Sequence, residues 1–316
     1  KMSLESADAV TSMYPSYIFS FIMGFAPFKV QRTGTLVQIT YWKAYQIISV
    51  LVYASLICPV VGMYYCQLKY FKTQSPMERF VSFMYNAIIV GMLTVNVIFN
   101  KVHTGAVLTL LRKIVRIDHL LRNKGMEPNY KRVMYSSLVF SMTAVTLNTS
   151  YVVFVASIQH YKDILLSTTV YFTFNIALFG FICVSVTFFT FFLLIGCMFE
   201  KILQRMEELV LKNFQLDTDM KCRIILETAS LHQELCEISR TANDAISVQM
   251  LASFATTFGF VIMQIYSVIT AFNNNTVDYN FVVSSIVIVA VLLEEKLILG
   301  VVSRRCMGMV RSITYL

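Results

Sequence analysis

Six long apolar runs separated by polar stretches organise the chain, at roughly 45–65, 80–99, 134–158, 164–199, 246–272 and 280–302. A helix crossing the ~30 Å hydrocarbon core of a bilayer needs about 20 mostly apolar residues, and each run supplies them. Glycine and proline are scarce, at 11 and 5, so the runs predict long helices without breaks. The fourth is long enough for about 54 Å at 1.5 Å per residue. It must therefore tilt or project beyond the bilayer.

Ahead of the fifth run the pattern is amphipathic. Around LHQELCEISRTANDAISVQML (231–251), Ile224, Leu231, Leu235, Ile238, Ala242, Ile246 and Met250 recur at steps of three or four, with one wider gap. That spacing marks one apolar helical face. Glu227, Glu234, Glu237, Arg240 and Asp244 fill the remainder. No glycine or proline separates this half from the hydrocarbon-like half. One helix is expected to begin in the cytoplasm, bury its stripe against neighbours there, and enter the membrane near Ile246. The fourth helix is expected to project likewise through CMFEKILQRMEELVLKNF. The predicted fold is an all-α polytopic membrane protein. Its parts are a cytoplasmic N-terminal arm (1–44), spans one to four (45–199), cytoplasmic anchor helices (200–245) and spans five and six (246–302).

Composition agrees: 57% of residues are hydrophobic, mean hydropathy is +0.65, and 14% are charged, against about 25% in a soluble domain. The net charge of +8 is not gathered into a nucleic-acid-binding patch. Twenty-two of the 26 Lys and Arg lie in the N-terminal arm, in the second and fourth loops, and from Lys296 onward. The first and third loops hold four and the fifth none. Basic residues favour the cytoplasmic side, which places the N-terminus and the even loops inside. That orientation is the reverse of a G-protein-coupled receptor. The acceptor Asn274-Asn275-Thr276 then falls in an outside loop, as glycosylation requires, whereas Asn148-Thr149-Ser150 lies within a span. The first 40 residues lack the basic, apolar and small-residue succession of a cleavable signal peptide.

Catalytic signals are absent. Seven cysteines without CxxC spacing argue against a disulfide framework or a zinc site. No nucleophile–base set, phosphate loop or metal cluster stands out, so neither enzymatic activity nor a cofactor is expected. Asp118-His119, beside Arg116 and Arg122, reads as a solvated helix face. Glu294-Glu295-Lys296 reads as a group near the inner boundary that pairs or reaches water.

The outer halves of the spans carry the candidate chemistry. Asn148 and Tyr151 share a face of the third span, and Thr168, Tyr171 and Asn175 a face of the fourth. Ser253, Thr257, Gln264 and Ser267 form a stripe on the fifth. Tyr85, Asn86, Ser284 and Ser285 lie at similar depth in the second and sixth. Polar groups in hydrocarbon need partners or a wet cavity. Interhelical hydrogen bonds, at about 0.6 kcal/mol each, account for any single residue. A set converging from five helices reads instead as a small-molecule pocket, where aromatic walls carry a few placed polar groups. No carboxylate lies in these outer halves, so a neutral ligand fits best.

Four segments carry a family resemblance. LHQELCEISRTANDAISVQML resembles the stretch before the penultimate hydrophobic helices of insect gustatory receptors, through Leu231, His232, Leu235, Cys236, Ile238, Asn243, Gln249 and Leu251. FIMGFAPFKV (21–30) is similar to the Gly-Phe/Leu-x-Pro element ahead of their first span. LLEEKLILG resembles the acidic-lysine end of the sixth span, and SITYL the start of the C-terminal Thr-Tyr run. The resemblance implies a seven-transmembrane bundle with its N-terminus inside and long cytoplasmic helix extensions. It implies a plasma-membrane taste receptor of sensory transduction: a ligand-gated, non-selective channel for monovalent and divalent cations, opened by a sugar or bitter tastant. The channel would be a homotetramer, or a heteromer with related receptors, in contact with membrane lipid. Thr314, Tyr315 and Leu316 would begin the pore helix, making 303–316 the start of the pore segment. Here about a dozen residues separate Val302 from Thr314, where the family has some tens, and the seventh span is only begun. Further residues are therefore expected. An odorant receptor or a pore-less relative is the nearest alternative, and a transporter or metabotropic receptor the alternative of another class.

The charge asymmetry makes a direct prediction. An epitope at Met2 is expected to stay unlabelled on intact cells and to stain after permeabilisation; labelling on intact cells would reverse the topology.

Overall fold

The computed structural model describes residues 8–314, apart from 25, 27, 34–35, 71–75, 103, 159–163, 213–217 and 274–278. Each apolar run falls within one helix: α3 Lys43–Tyr70, α4 Pro76–Val102, α6 Tyr130–Ile158, α7 Ile164–Lys212, α8 Thr218–Asn273 and α9 Tyr279–Thr314. The remaining elements are α1 Ala9–Ser12, α2 Tyr14–Ile22, a hairpin of β1 Phe28–Thr33 with β2 Leu36–Tyr41, and α5 Thr104–Asn123. The hairpin departs from the all-α expectation. Its strands pair antiparallel from Phe28↔Tyr41 to Thr33↔Leu36 and carry Val30, Thr33, Val37, Ile39 and Thr40, β-branched residues that favour a pleated ribbon.

By length and composition, two described stretches can cross a membrane, Leu178–Glu208 and Cys222–Thr270. The helices containing them, α7 and α8, have 49 and 56 residues. At 1.5 Å per residue they reach about 74 and 84 Å, well beyond the 40–45 Å of a bilayer with its headgroups. Outward on α8, Leu251, Phe254, Phe258, Ile262, Ile265, Ile269 and Phe272 are exposed at steps of three and four. Water does not tolerate so continuous an apolar stripe on a monomer. It suits lipid or another membrane chain.

The bundle is organised around α7, which packs against α2, α3, α4, α6, α8 and α9. Cys183, Val186, Leu194, Ile195, Met198, Phe199 and Ile202 are fully or almost fully enclosed. The N-terminal arm is no loose tail. Asp8 caps α1 by accepting the Thr11 N–H at 2.7 Å, and α2 packs on α6 and α7. Ser20 and Thr187 share a hydroxyl hydrogen bond of 3.0 Å, and the Tyr53 hydroxyl donates to the Met23 carbonyl at 2.8 Å. Gly24 turns the chain at φ +83°, where an added Cβ would stand 2.7 Å from the Ser49 Cβ. Only glycine fits both requirements.

Helix α5, read from sequence only as part of a basic loop, is amphipathic. Leu108, Leu111, Ile114, Ile117 and Leu121 are buried, and the opposite side bonds to α8. Lys113 reaches Glu237 at 2.6 Å, Arg116 Glu234 at 3.4 Å and Lys124 Glu227 at 2.6 Å. The numbers run in opposite directions, so the two helices are antiparallel. The hydrogen bonds from Lys124 and Lys113 hold the Glu227 and Glu237 carboxyls below their ordinary range. Within α8 the expected stripe is buried at Leu231, Leu235, Ile238, Ala242, Ile246 and Met250, while Ile224 at its start is half-buried. His232 meets the Phe199 ring edge-on at 5.5 Å, and its burial lowers its pKa below 6.5.

Asp118 corrects the sequence reading. His119 is exposed, but Asp118 is only 7% exposed. Its carboxylate accepts from the Tyr130 hydroxyl, from Arg122 Nε at 3.0 Å and from the Ala9 amide at 3.4 Å. Burial and then the Asp118 charge push the Tyr130 pKa up, so the phenol remains a donor. Helix α1 is thereby fastened to α5 and α6.

Removing a buried, hydrogen-bonded charge leaves its partners unsatisfied. Asp118→Ala is expected to destabilise the protein by about 3 kcal/mol in thermal melts of the purified chain. Lys113→Ala, which breaks an exposed pair, should barely move the midpoint. Equal effects would show that Asp118 is not the fastening point.

Candidate functional site

Polar side chains on helices that are otherwise apolar mark the interior of the bundle. On α9, Ser285, Lys296 and Leu299 are buried and Val289 is half-buried. Their steps of four, seven and three define the inward face. Lys296, expected near water, is only 8% exposed. Its ammonium donates to the Ser253 hydroxyl of α8 at 2.7 Å and lies 3.5 Å from the Ser185 hydroxyl of α7. It also stands 5.5 Å from the centre of the Phe254 ring. One cation thus joins α7, α8 and α9. The same step rule that found the α8 stripe, applied to α9, would have shown Lys296 on the buried face.

The sequence-predicted site residues fall into distinct groups. Asn148 on α6 is 2% exposed and Ser285 on α9 is 4% exposed. Among the described residues, neither Asn148 Nδ2 nor Ser285 Oγ has a hydrogen-bond partner. Helices α6 and α9 pack together. Asn86 is buried on α4, which packs against α7 and α8. On α8, Thr257, Gln264 and Ser267 are half-buried, while Ser253 is engaged by Lys296. Among the described residues, none of Asn148, Thr257, Gln264, Ser267 and Ser285 hydrogen-bonds to another through its side chain. The side chains of Tyr85, Tyr151, Thr168, Tyr171, Asn175 and Ser284 lie outside the described residues, as do Tyr315, Leu316 and the acceptor Asn274-Asn275-Thr276. Thr314 is the last residue of α9.

A buried donor without a partner costs about 1–3 kcal/mol, and native interiors keep few of them. Asn148 Nδ2 can donate to a guest that reaches it, and Ser285 Oγ can donate or accept. Among the described residues no group of His, Cys, Asp and Glu could hold a metal ion.

Long apolar helices thus pack around one enclosed spine, with several polar groups turned inward. The chain belongs to the 7tm chemosensory receptor family, whose model matches residues 13–307. Among solved structures it is similar to the insect olfactory receptor OR5 from Machilis hrabei, with a TM-score of 0.60 and 12% identity. The likeness covers 94% of this chain and 80% of that one, and at this identity it concerns the fold. No curated protein sequence matches the chain.

The Lys296 node generates a stability prediction. Exchanging a buried ion for an apolar side chain of similar length is neutral or stabilising in many proteins. Lys296→Met is therefore expected to melt at or above wild type. Lys296→Ala, which also removes packing volume, should fall about 2 kcal/mol below it. A Lys296→Met protein that fails to fold would show that the ammonium itself holds α9 in place.

Proposed function

We propose that this chain is a plasma-membrane taste receptor acting as a tastant-gated, non-selective cation channel, with a ligand pocket in the outer half of each bundle. The observation carrying this reading is the pair of buried atoms without hydrogen-bond partners among the described residues, Asn148 Nδ2 and Ser285 Oγ, on adjacent helices of a chemosensory receptor. An amide donor and a hydroxyl suit a neutral ligand rich in hydroxyl or carbonyl groups, such as a sugar or an oxygenated bitter compound. Gln264 and Thr257, half-buried on α8, supply further donors and acceptors. The division of basic residues supports a cytoplasmic N-terminus.

Conduction needs more than one chain. A single helix has no lumen, and polar backbone cannot face lipid. A ring of four subunits, each contributing a pore segment that starts with Thr314, Tyr315 and Leu316 where α9 ends, is the assembly the gustatory resemblance supports. The similarity to OR5, an olfactory receptor, favours a second reading in which the ligand is an odorant.

Currents in planar bilayers without added G protein test both readings. Sugars or bitter compounds are expected to open the channel. Asn148→Ala and Gln264→Ala should each shift the half-maximal ligand concentration by roughly twofold to tenfold, the value of one neutral hydrogen bond of about 0.5–1.5 kcal/mol. Normal surface expression must accompany the shift. Responses confined to volatile odorants would select the second reading, and silence toward every ligand would remove the channel reading.

A further inference from the structure

A cavity of about 130 Å³ opens between α6, α7 and α9, with Arg132, Val133, Phe192, Cys197, Glu200 and Val301 in its lining. It is distinct from the outer-half residues above. Its position coincides with three span ends found from hydropathy alone, near 134, 199 and 302. Its floor is apolar and enclosed, with Val133, Phe192 and Cys197 buried. Its mouth carries one cation and one anion, Arg132 and Glu200, whose side chains are 55% and 53% exposed. They stand 3.9 Å apart, at the outer limit of an ion pair, so each retains capacity for another partner. Tyr135, Leu138 and Val139 on α6 and Leu297 and Val301 on α9 are exposed apolar residues of the flanking helices.

We propose that this cavity binds the headgroup of a membrane phospholipid carrying a primary amine and no net charge, as in phosphatidylethanolamine. The inference rests on the membrane reading of the bundle. A charged mouth above an apolar floor suits an amphipathic occupant, and the span ends read from hydropathy put that mouth at the level of the membrane surface. The volume, close to that of a cavity of about 150 Å³ that holds benzene, takes a headgroup and not a whole lipid. The acyl chains lie along the exposed faces of α6 and α9. Arg132 presents a planar fork suited to a phosphate. Glu200 beside it repels a headgroup with net negative charge and accepts a hydrogen bond from an ammonium. Ethanolamine supplies that donor at the end of a two-carbon link from the phosphate. Choline supplies the charge without an N–H, and glycerol supplies no charge. Basic pockets between membrane helices on the cytoplasmic side are recognised headgroup sites; the added acid here selects among headgroups.

Native mass spectrometry of the purified full chain, with phosphatidylethanolamine, phosphatidylcholine and phosphatidylglycerol added singly, tests the assignment. Wild type should retain phosphatidylethanolamine about tenfold more tightly than either other lipid, the scale of one charge-assisted hydrogen bond. Arg132→Gln should lose retention of all three. Glu200→Gln should keep phosphate binding but bind phosphatidylglycerol as well as phosphatidylethanolamine. Both side chains are half-exposed, so melting in lipid-free detergent should stay near wild type and serve as the folding control. Equal retention of the three lipids by wild type, or an unchanged pattern in both variants, would overturn the site. No ligand current enters this measurement, so its failure is separate from failure of the taste-receptor reading.

Discussion

A helix that is apolar on every side has to be surrounded, and α7 is such a helix. From Ile182 to Phe199 nearly every side chain is buried, which leaves little of this stretch for water or lipid outside the cavity beside Glu200. The other elements are arranged by that demand. Helices α3, α4, α6, α8 and α9 supply the membrane-depth walls, and α2, drawn in from the N-terminal arm, closes a remaining side. Burial of a Leu, Ile or Phe stabilises by about 1.5–3 kcal/mol relative to exposure in water. Within lipid that driving force between helices vanishes, and close packing and interhelical hydrogen bonds take over. The Ser137–Thr190 bond of 2.7 Å and the Ser20–Thr187 bond of 3.0 Å fasten α7 at points where small hydroxyl residues allow close approach.

Charges mark where this packing has been made specific. Asp118 holds α1, α5 and α6 in one arrangement, and Lys296 holds α7, α8 and α9 in another. Neither is the cheapest way to fill its volume, since desolvating an ion offsets much of what its partners return. Each has directional partners that an apolar side chain lacks, so each discriminates between the native register and a slipped one. The ion pairs between α5 and α8 act at the surface and contribute mainly to alignment.

Much of this was legible in the sequence, for reasons tied to period and length. The six long helices follow from apolar runs of bilayer length. The α8 stripe from Leu231 to Met250 follows from steps of three and four, which survive in any environment that buries one face. Helix α5 was obscured because its basic residues outweigh Leu108, Leu111, Ile114 and Ile117 in a mean, although the same steps are present. The burial of Asp118 and Lys296 depends on groups distant in the chain: Ala9 for the first, Ser185 and Ser253 for the second. A local reading sees only a charge beside other charges and assigns it to water. Asn148 and Ser285 were legible as polar residues in apolar runs. That Asn148 Nδ2 and Ser285 Oγ lack hydrogen-bond partners among the described residues shows only in the packing of their neighbours.

The lengths of α7 and α8 connect these observations. Both run through the apolar bundle and on into a charged segment without a break, so neither can rotate or slide in the membrane without moving its extension. In α8 the continuous rod carries Ser253, which accepts from Lys296, and Glu227, Glu234 and Glu237, which pair with α5. A change at the interior face of α9 that displaced Lys296 would load Ser253 and be resisted about 24 Å away at Glu237, taking 1.5 Å per residue along the helix. Close-packed interiors do not absorb such shifts by compression. The interior of the bundle and the α5–α8 contact are therefore mechanically one unit, joined by a helix whose two halves differ in solvent and not in backbone.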